Sequence, residues 1–83
     1  MAQEAKRLKL FFERPRSLRL REIEMILILL GFEKINAKGS HVKFKHSSLS
    51  RDLIIPVHGN DCDPFYKKLA FDFIKQLPNP NLP

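Results

Sequence analysis

The sequence predicts a single small α+β domain ordered α-β-β-β-α, a three-stranded antiparallel sheet with two helices packed on one face. Three observations carry that prediction. Two segments repeat apolar residues at helical spacing, one in the first half of the chain and one near its end. Between them lie three short runs with period-two alternation, separated by turn residues. The whole chain has 83 residues, too few to build a second core. Residues 17–77 hold the domain, residues 1–16 form an N-terminal extension able to make a short helix, and residues 78–83 form a flexible C-terminal tail. Pro78, Pro80 and Pro83 bar that tail from continuing a helix.

The first helix is expected over about residues 18–30, with Pro15 before it and Ser17 as its N-cap. Leu20, Ile23, Ile26, Leu27 and Leu30 make one stripe, and Gly31 ends the helix so that Phe32 folds back onto Leu27. Met25, Ile28 and Leu29 fall outside the stripe, so this helix needs a second cover. Ala5, Leu8, Phe11 and Phe12 repeat at roughly helical spacing among bases, and a short extra helix there is expected to supply it. The rival is a tail that orders only against a protein partner.

The strands are expected at residues 32–36, 41–46 and 52–57, joined by turns at 37–40 and 47–50. Val42 and Phe44 point to one face of the middle strand, while His41, Lys43 and Lys45 point to the other. Leu53, Ile55 and Val57 face the core from the third strand, and Ile54, Pro56 and His58 point outward. Pro56 has no N–H for a ladder bond, which puts this strand at the sheet edge. Pairing Phe44 with Leu53 keeps the core faces together and sets His41 opposite Pro56. His58 then sits one diagonal step away on the same face, at ~7–8 Å.

The last helix is expected over about residues 64–77, capped by Asp63 with Pro64 in its first turn. Phe65, Leu69, Ala70, Phe73, Ile74 and Leu77 share one broad face, with Tyr66 at its rim. Phe71 lies opposite, among Lys67, Lys68 and Lys75, either as a partner contact or as an isolated exposed aromatic. With both helices on one side, the other sheet face is bare and carries His41, Lys43, Lys45 and His58.

Net charge is +6, and its placement says more than its total. Residues 34–51 hold Lys34, Lys38, Lys43, Lys45 and Arg51 with no acid, whereas residues 52–66 hold Asp52, Asp61 and Asp63 with no base. Such blocks suit a polyanion-binding face with a separate back, or a solubilising charge excess. The apolar run at 25–30 is too short to cross a bilayer, and no secretion signal is expected at the N-terminus. One cysteine, Cys62, excludes an internal disulfide and suits a reducing cytoplasm, the expected location. His58, Asp61, Cys62 and Asp63 cluster without recurrent metal-ligand spacing. They read as a helix cap and a small buried thiol, so no metal and no cofactor are expected.

The segment Lys38-Gly39-Ser40-His41-Val42-Lys43-Phe44, followed by Ile55-Pro56-Val57-His58-Gly59, resembles the HicA family of bacterial toxins. Leu30-Gly31-Phe32-Glu33 and Phe73-Ile74-Lys75-Gln76-Leu77 are similar to that family as well, so the resemblance spans residues 18–77. It implies a fold like the double-stranded-RNA-binding domain and a ribonuclease that cleaves mRNA and arrests growth until a HicB antitoxin covers its site. The catalytic histidine of the family's Gly-Ser-His segment maps onto His41. The chain departs from the family at Val42, where many members have a second histidine, and at Asp63-Pro64-Phe65-Tyr66, where they have a Gly-Thr-like helix start. Residues 1–16 have no counterpart in the shortest members.

The residues themselves suit that chemistry. RNA cleavage can use the ribose 2′-hydroxyl as internal nucleophile, leaving the protein to move protons and shelter phosphate charge. Histidine titrates near cellular pH, with an ordinary pKa of about 6.5. Lys43 and Lys45 share its face, and Lys38, Gly39 and Ser40 adjoin it as further phosphate contacts. Read alone, His41 is more simply an exposed residue at a turn end; the aligned lysines and the family motif reverse that. His58 is a second acid/base, a phosphate contact, or a polar residue closing an edge strand, and His46 takes no role. The expected partners are mRNA and a HicB-like antitoxin on the sheet face, with no membrane. The alternatives are a non-catalytic RNA-binding module using the same face and a small interaction protein whose charges only solubilise it.

Overall fold

The computed structural model describes residues 2–37 and 39–78, with side chains from Lys6 onward. Helix α1 spans Ala2–Glu13 and a 3₁₀ turn follows at Pro15–Ser17. Helix α2 spans Leu20–Leu29, strands β1, β2 and β3 span Glu33–Asn36, His41–Lys45 and Leu53–Pro56, and helix α3 spans Pro64–Lys75. This is the expected α-β-β-β-α order, preceded by α1. Past Pro78 the expected tail lies outside the described residues.

Helix α2 starts later than expected, and Ser17 does not cap it. The Ser17 hydroxyl donates to the Arg14 carbonyl at 2.8 Å and so closes the 3₁₀ turn instead. Leu18 follows in extended conformation and is buried. Arg19 is the N-cap, and its N–H donates to Glu22 Oε1 at 3.1 Å. The next N–H, of Leu20, donates to Asp61 Oδ1 at 3.1 Å, so a carboxylate from far along the chain satisfies a donor the helix cannot. The other end is as expected. Gly31 has φ +98°, its N–H donates to Ile28 O at 3.1 Å, and Phe32 N–H donates to Leu27 O at 2.9 Å. That is a Schellman closure, and it buries the Phe32 ring.

The sheet order is β1-β2-β3, antiparallel throughout. Phe44 pairs with Leu53 and His41 with Pro56, the expected register, and β3 with its proline is an edge strand. Val42, Phe44, Leu53 and Ile55 turn inward, none more than 4% exposed, against Ile23, Leu27, Phe73 and Ile74 of the helices. Each such side chain contributes roughly 1.5–3 kcal/mol by leaving water. Ile35 stands opposite Lys43, which puts it on the open face, while Lys34 turns to the helical side and reaches Glu24 Oε1 at 3.3 Å.

Helix α1 forms but does not cover the second side of α2. Met25, Ile28 and Leu29 stay 45, 53 and 58% exposed. The aromatics of α1 go elsewhere: Phe11 is wholly buried, and the Phe71 ring of α3 meets Phe11 and Phe12 edge-on at 5.7 and 5.1 Å. Edge-to-face pairs contribute about 0.5–1.5 kcal/mol each beyond area burial, and these two tie the end of α1 to α3. Phe71 is therefore neither isolated nor a free contact, and Lys68 and Lys75 close over its ring at 5.4 and 5.3 Å.

Two residues of α3 also differ from expectation. Asp63 caps the helix as predicted, accepting from Phe65 N–H at 2.9 Å. Phe65 itself is 62% exposed, because it sits in the first turn, ahead of the point where the helix meets the core. Lys67, expected in solvent, is 7% exposed and shares the inward stripe with Ala70 and Ile74. Among the described residues no helix is long and apolar enough to cross a membrane.

Candidate nucleic-acid interface

Helices α2 and α3 occupy one side of the sheet, and alternation along β2 therefore decides what the other side offers. His41 and Lys45 are exposed there, with Lys43 half-buried between them. The backbone around His41 is tied on both sides. Ala37 N–H donates to the His41 carbonyl at 3.2 Å, and Val57 N–H donates to the Ser40 carbonyl at 2.7 Å. Gly39 makes the preceding turn at φ +69°, a left-handed conformation that any other residue would hold under strain. The imidazole thus projects from a short, fixed strand end. Lys38 lies outside the described residues.

The face is less uniformly basic than the sequence blocks suggest. Lys43 Nζ lies 4.0 Å from Asp52 Oδ2, and Lys45 pairs across the sheet with Glu33. Antiparallel pairing brings the first acid of the acidic block beside the basic one, so Lys45 is the lysine of β2 with no carboxylate within ion-pair distance among the described residues. Ile35 and Ile54 flank Lys43 in one cross-strand row, and Ile54 is 49% exposed. Asp52, Ile35 and Ile54 were not among the expected site residues. The register would have found them, since Ile35 and Ile54 stand on the outward parity of β1 and β3 and Asp52 directly precedes Leu53.

His58 is exposed just past β3, at the same end of the sheet as His41. Its backbone exchanges hydrogen bonds with Asp61, at 2.8 and 3.2 Å. His46 behaves differently. Its Nδ1 accepts from Ser48 N–H at 3.0 Å, so Nε2 carries the proton and donates to the Leu30 carbonyl at 3.1 Å. The ring packs edge-on to Phe32 at 4.9 Å and serves the fold on the helical side.

The cluster after His58 is built into the fold as well. Asp61 Oδ1 accepts from Cys62 N–H at 2.8 Å and lies 3.1 Å from Lys67 Nζ, besides holding Leu20 N–H. Partial burial pushes the Asp61 carboxyl upward, but these bonds outweigh it and hold the group below its ordinary value. Burial pushes the Cys62 thiol up, against the pull of the Lys67 charge. Asp63 is spent as the α3 cap. Among the described residues no group of three or more histidine, cysteine or acidic side chains converges on a point where a metal ion could sit.

The fold and its uncovered face define a small α+β domain of the double-stranded-RNA-binding-domain type. A family model described as the HicA toxin of bacterial toxin–antitoxin systems matches residues 20–77, well over half of the chain, and the chain belongs to the HicA toxin family. It is a toxin of a toxin–antitoxin system, and its counterpart is an antitoxin. The match begins at the first residue of α2, so α1 lies outside it. Comparison with curated proteins and with solved structures gives no match.

Proposed function

We propose that this toxin is an endoribonuclease that cleaves mRNA on the open sheet face, and that a HicB-like antitoxin silences it by covering that face. His41 takes the proton from a ribose 2′-hydroxyl as its oxygen attacks the adjacent phosphorus. The bond from phosphorus to the 5′ oxygen breaks, that oxygen takes up a proton, and the upstream fragment ends in a 2′,3′-cyclic phosphate. Because the nucleophile belongs to the substrate, the step needs no metal and no cofactor. Lys45, Lys43, Lys38, Ser40 and the Gly39 and Ser40 backbone amides offer charge and hydrogen bonds to the phosphate oxygens. His58 is the candidate for returning a proton to the leaving oxygen or for a further phosphate contact. The substrate places the working toxin in the cytoplasm.

The observation that carries this reading is the exposure of His41 at a pinned strand end, on the face that also bears Lys43 and Lys45. Inducing the chain in bacterial cells is expected to stop growth and degrade mRNA, while His41→Ala is harmless yet still binds RNA. Co-expressed antitoxin should restore growth. If both forms are inert but keep salt-sensitive RNA binding, the face is a binding surface and not a catalytic one. If neither binds RNA, the ribonuclease reading fails outright.

A further inference from the structure

Apart from Phe65 in the first turn of α3, the large apolar side chains left open on the helices belong to α1 and α2. Leu10 of α1 is 40% exposed, and Met25, Ile28 and Leu29 of α2 are exposed as well. A groove of about 270 Å³ between the two helices is lined by Arg7, Met25, Ile26, Ile28 and Leu29. It adjoins, through Arg7, a hollow lined by Lys6, Lys9, Leu10 and Glu13. The Arg7 guanidinium lies 3.8 Å from Met25 Sδ, over the apolar floor. None of this belongs to the open sheet face.

The rim is basic, and the nearby acids of α2 are already used. Glu22 accepts from Arg19 N–H and Glu24 pairs with Lys34. Lys6, Arg7, Lys9 and Arg21 have no carboxylate within ion-pair distance among the described side chains. Arg21 stands one turn before Met25 on the same stripe of α2. An apolar floor with a mostly basic edge is complementary to a helix with apolar residues on one face and carboxylates beside them.

We propose that the α1–α2 groove is a docking site for an acidic amphipathic helix of a partner protein. Apolar anchors of that helix, spaced i, i+3 or i+4, and i+7, seat against Leu10, Met25, Ile28 and Leu29, and its Asp and Glu residues meet Arg7, Lys6, Lys9 and Arg21. A second copy of this chain fits less well. Four half-exposed side chains make a patch of a few hundred Å², short of the ~800 Å² per partner that a stable interface buries. In a two-fold pairing the basic rim would also face itself. RNA would match the charge but has no use for an aliphatic floor. The inference stands independently of whether the sheet face cleaves RNA.

The test uses the full chain and a fluorescein-labelled synthetic helix with leucines on one face and glutamates on the other. Its control is a peptide of the same composition scrambled so that the leucines share no face. Fluorescence anisotropy is expected to show saturable binding of the first peptide and at least about tenfold weaker binding of the second. Ile28→Asp, Leu29→Asp and Arg7→Glu should each weaken the first peptide by about tenfold, and His41→Ala should not. The substituted positions are on the surface, so melting followed by circular dichroism should be unchanged; if an apolar-site variant unfolds, Arg7→Glu decides alone. Equal binding of the two peptides, or indifference to all three substitutions, overturns the proposal. So does a concentration-dependent dimer that Ile28→Asp abolishes, which would make the occupant a second copy. RNA affinity lost in all three variants, with the peptide unbound, would assign the groove to RNA.

Discussion

Lys67 Nζ and Asp61 Oδ1 lie 3.1 Å apart, and the same carboxylate oxygen accepts backbone N–H bonds from Leu20 and Cys62. One side chain thus ties the start of α2, the turn after β3 and the body of α3. Removing it strands an ammonium that is only 8% exposed, together with two N–H groups. Losing one partner of a buried pair costs about 3–5 kcal/mol. The Asp61 side chain is 35% exposed, so the expected loss for Asp61→Ala is roughly 2 kcal/mol. Lys67→Met removes the charge together with its need for a partner and should cost less. Urea unfolding of the two variants checks the order; a Lys67→Met loss as large as that of Asp61→Ala would mean that packing, not charge, holds this corner.

The same carboxylate predicts a pH limb. Its folded value lies below its unfolded one, because the bonds from Cys62 N–H, Lys67 and Leu20 N–H outweigh the upward push of burial. A group depressed on folding contributes stability that is full above its ordinary value, about 3.9, and drains away as pH falls through the folded value. The difference in melting temperature between the native chain and Asp61→Asn should therefore be constant near neutrality and shrink below about pH 4. A difference that stays constant down to pH 2 would exclude Asp61 from the acid limb.

Much of the fold could be read from residue order because its causes are local. Alternation in β2 and β3, with Pro56 barred from a central strand, is enough to set His41 opposite Pro56. Gly31 followed by an aromatic is enough to write the Schellman closure. What could not be read depends on partners distant in sequence. Arg19 caps α2 and Asp61 takes the Leu20 N–H from 41 residues away, whereas Ser17 looks like a cap until its hydroxyl is seen to bond Arg14. The apolar stripe of α1 says that it docks, not that Phe11 chooses Phe71 over Met25. Lys67 was legible in principle, since it sits three and seven residues before Ala70 and Ile74 on the inward stripe, but a lysine there is anomalous until Asp61 is found beside it. For the site, parity put His41, Lys43 and Lys45 on one face, while Asp52 entered it only through pairing.

Helix α1 is expected to be part of the stable structure and not an appendage. Phe11 is wholly buried and touches the rings of Phe12 and Phe71. Phe11→Ala should cost about 3–5 kcal/mol, the usual loss for a buried aromatic. Deleting residues 1–14 should lower the melting temperature of the free protein at least as much. An unchanged melting temperature after the deletion would show that the domain is complete without α1.

His46 and His41 should separate cleanly by readout. His46 links Leu30 O to Ser48 N–H beside Gly31, and a Cβ on Gly31 would come within 3.1 Å of His46 Nε2. Gly31→Ala meets that contact and also the left-handed backbone, which disfavours L-residues by about 1–2 kcal/mol. His46→Ala and Gly31→Ala should therefore both lower the melting temperature while RNA cleavage per folded molecule is retained. His41→Ala should do the reverse. Loss of cleavage in a fully folded His46→Ala would move the catalytic assignment.

The Lys43–Asp52 pair makes the open face testable without reference to catalysis. At 4.0 Å, with both side chains about one-third exposed, the pair contributes little to stability, so Asp52→Asn should leave the melting temperature nearly unchanged. It should, however, release Lys43 to a phosphate. Each phosphate neutralised on a single strand adds about 0.7 to the slope of log affinity against log salt. Asp52→Asn is then expected to tighten RNA binding at low salt and steepen that slope by about 0.7, whereas Lys45→Ala should weaken binding and flatten it by a similar amount. Titrating labelled single-stranded RNA across a salt series, in the His41→Ala background so that nothing is cleaved, reads both. Slopes that ignore both substitutions would mean that RNA, if bound, lies on another surface.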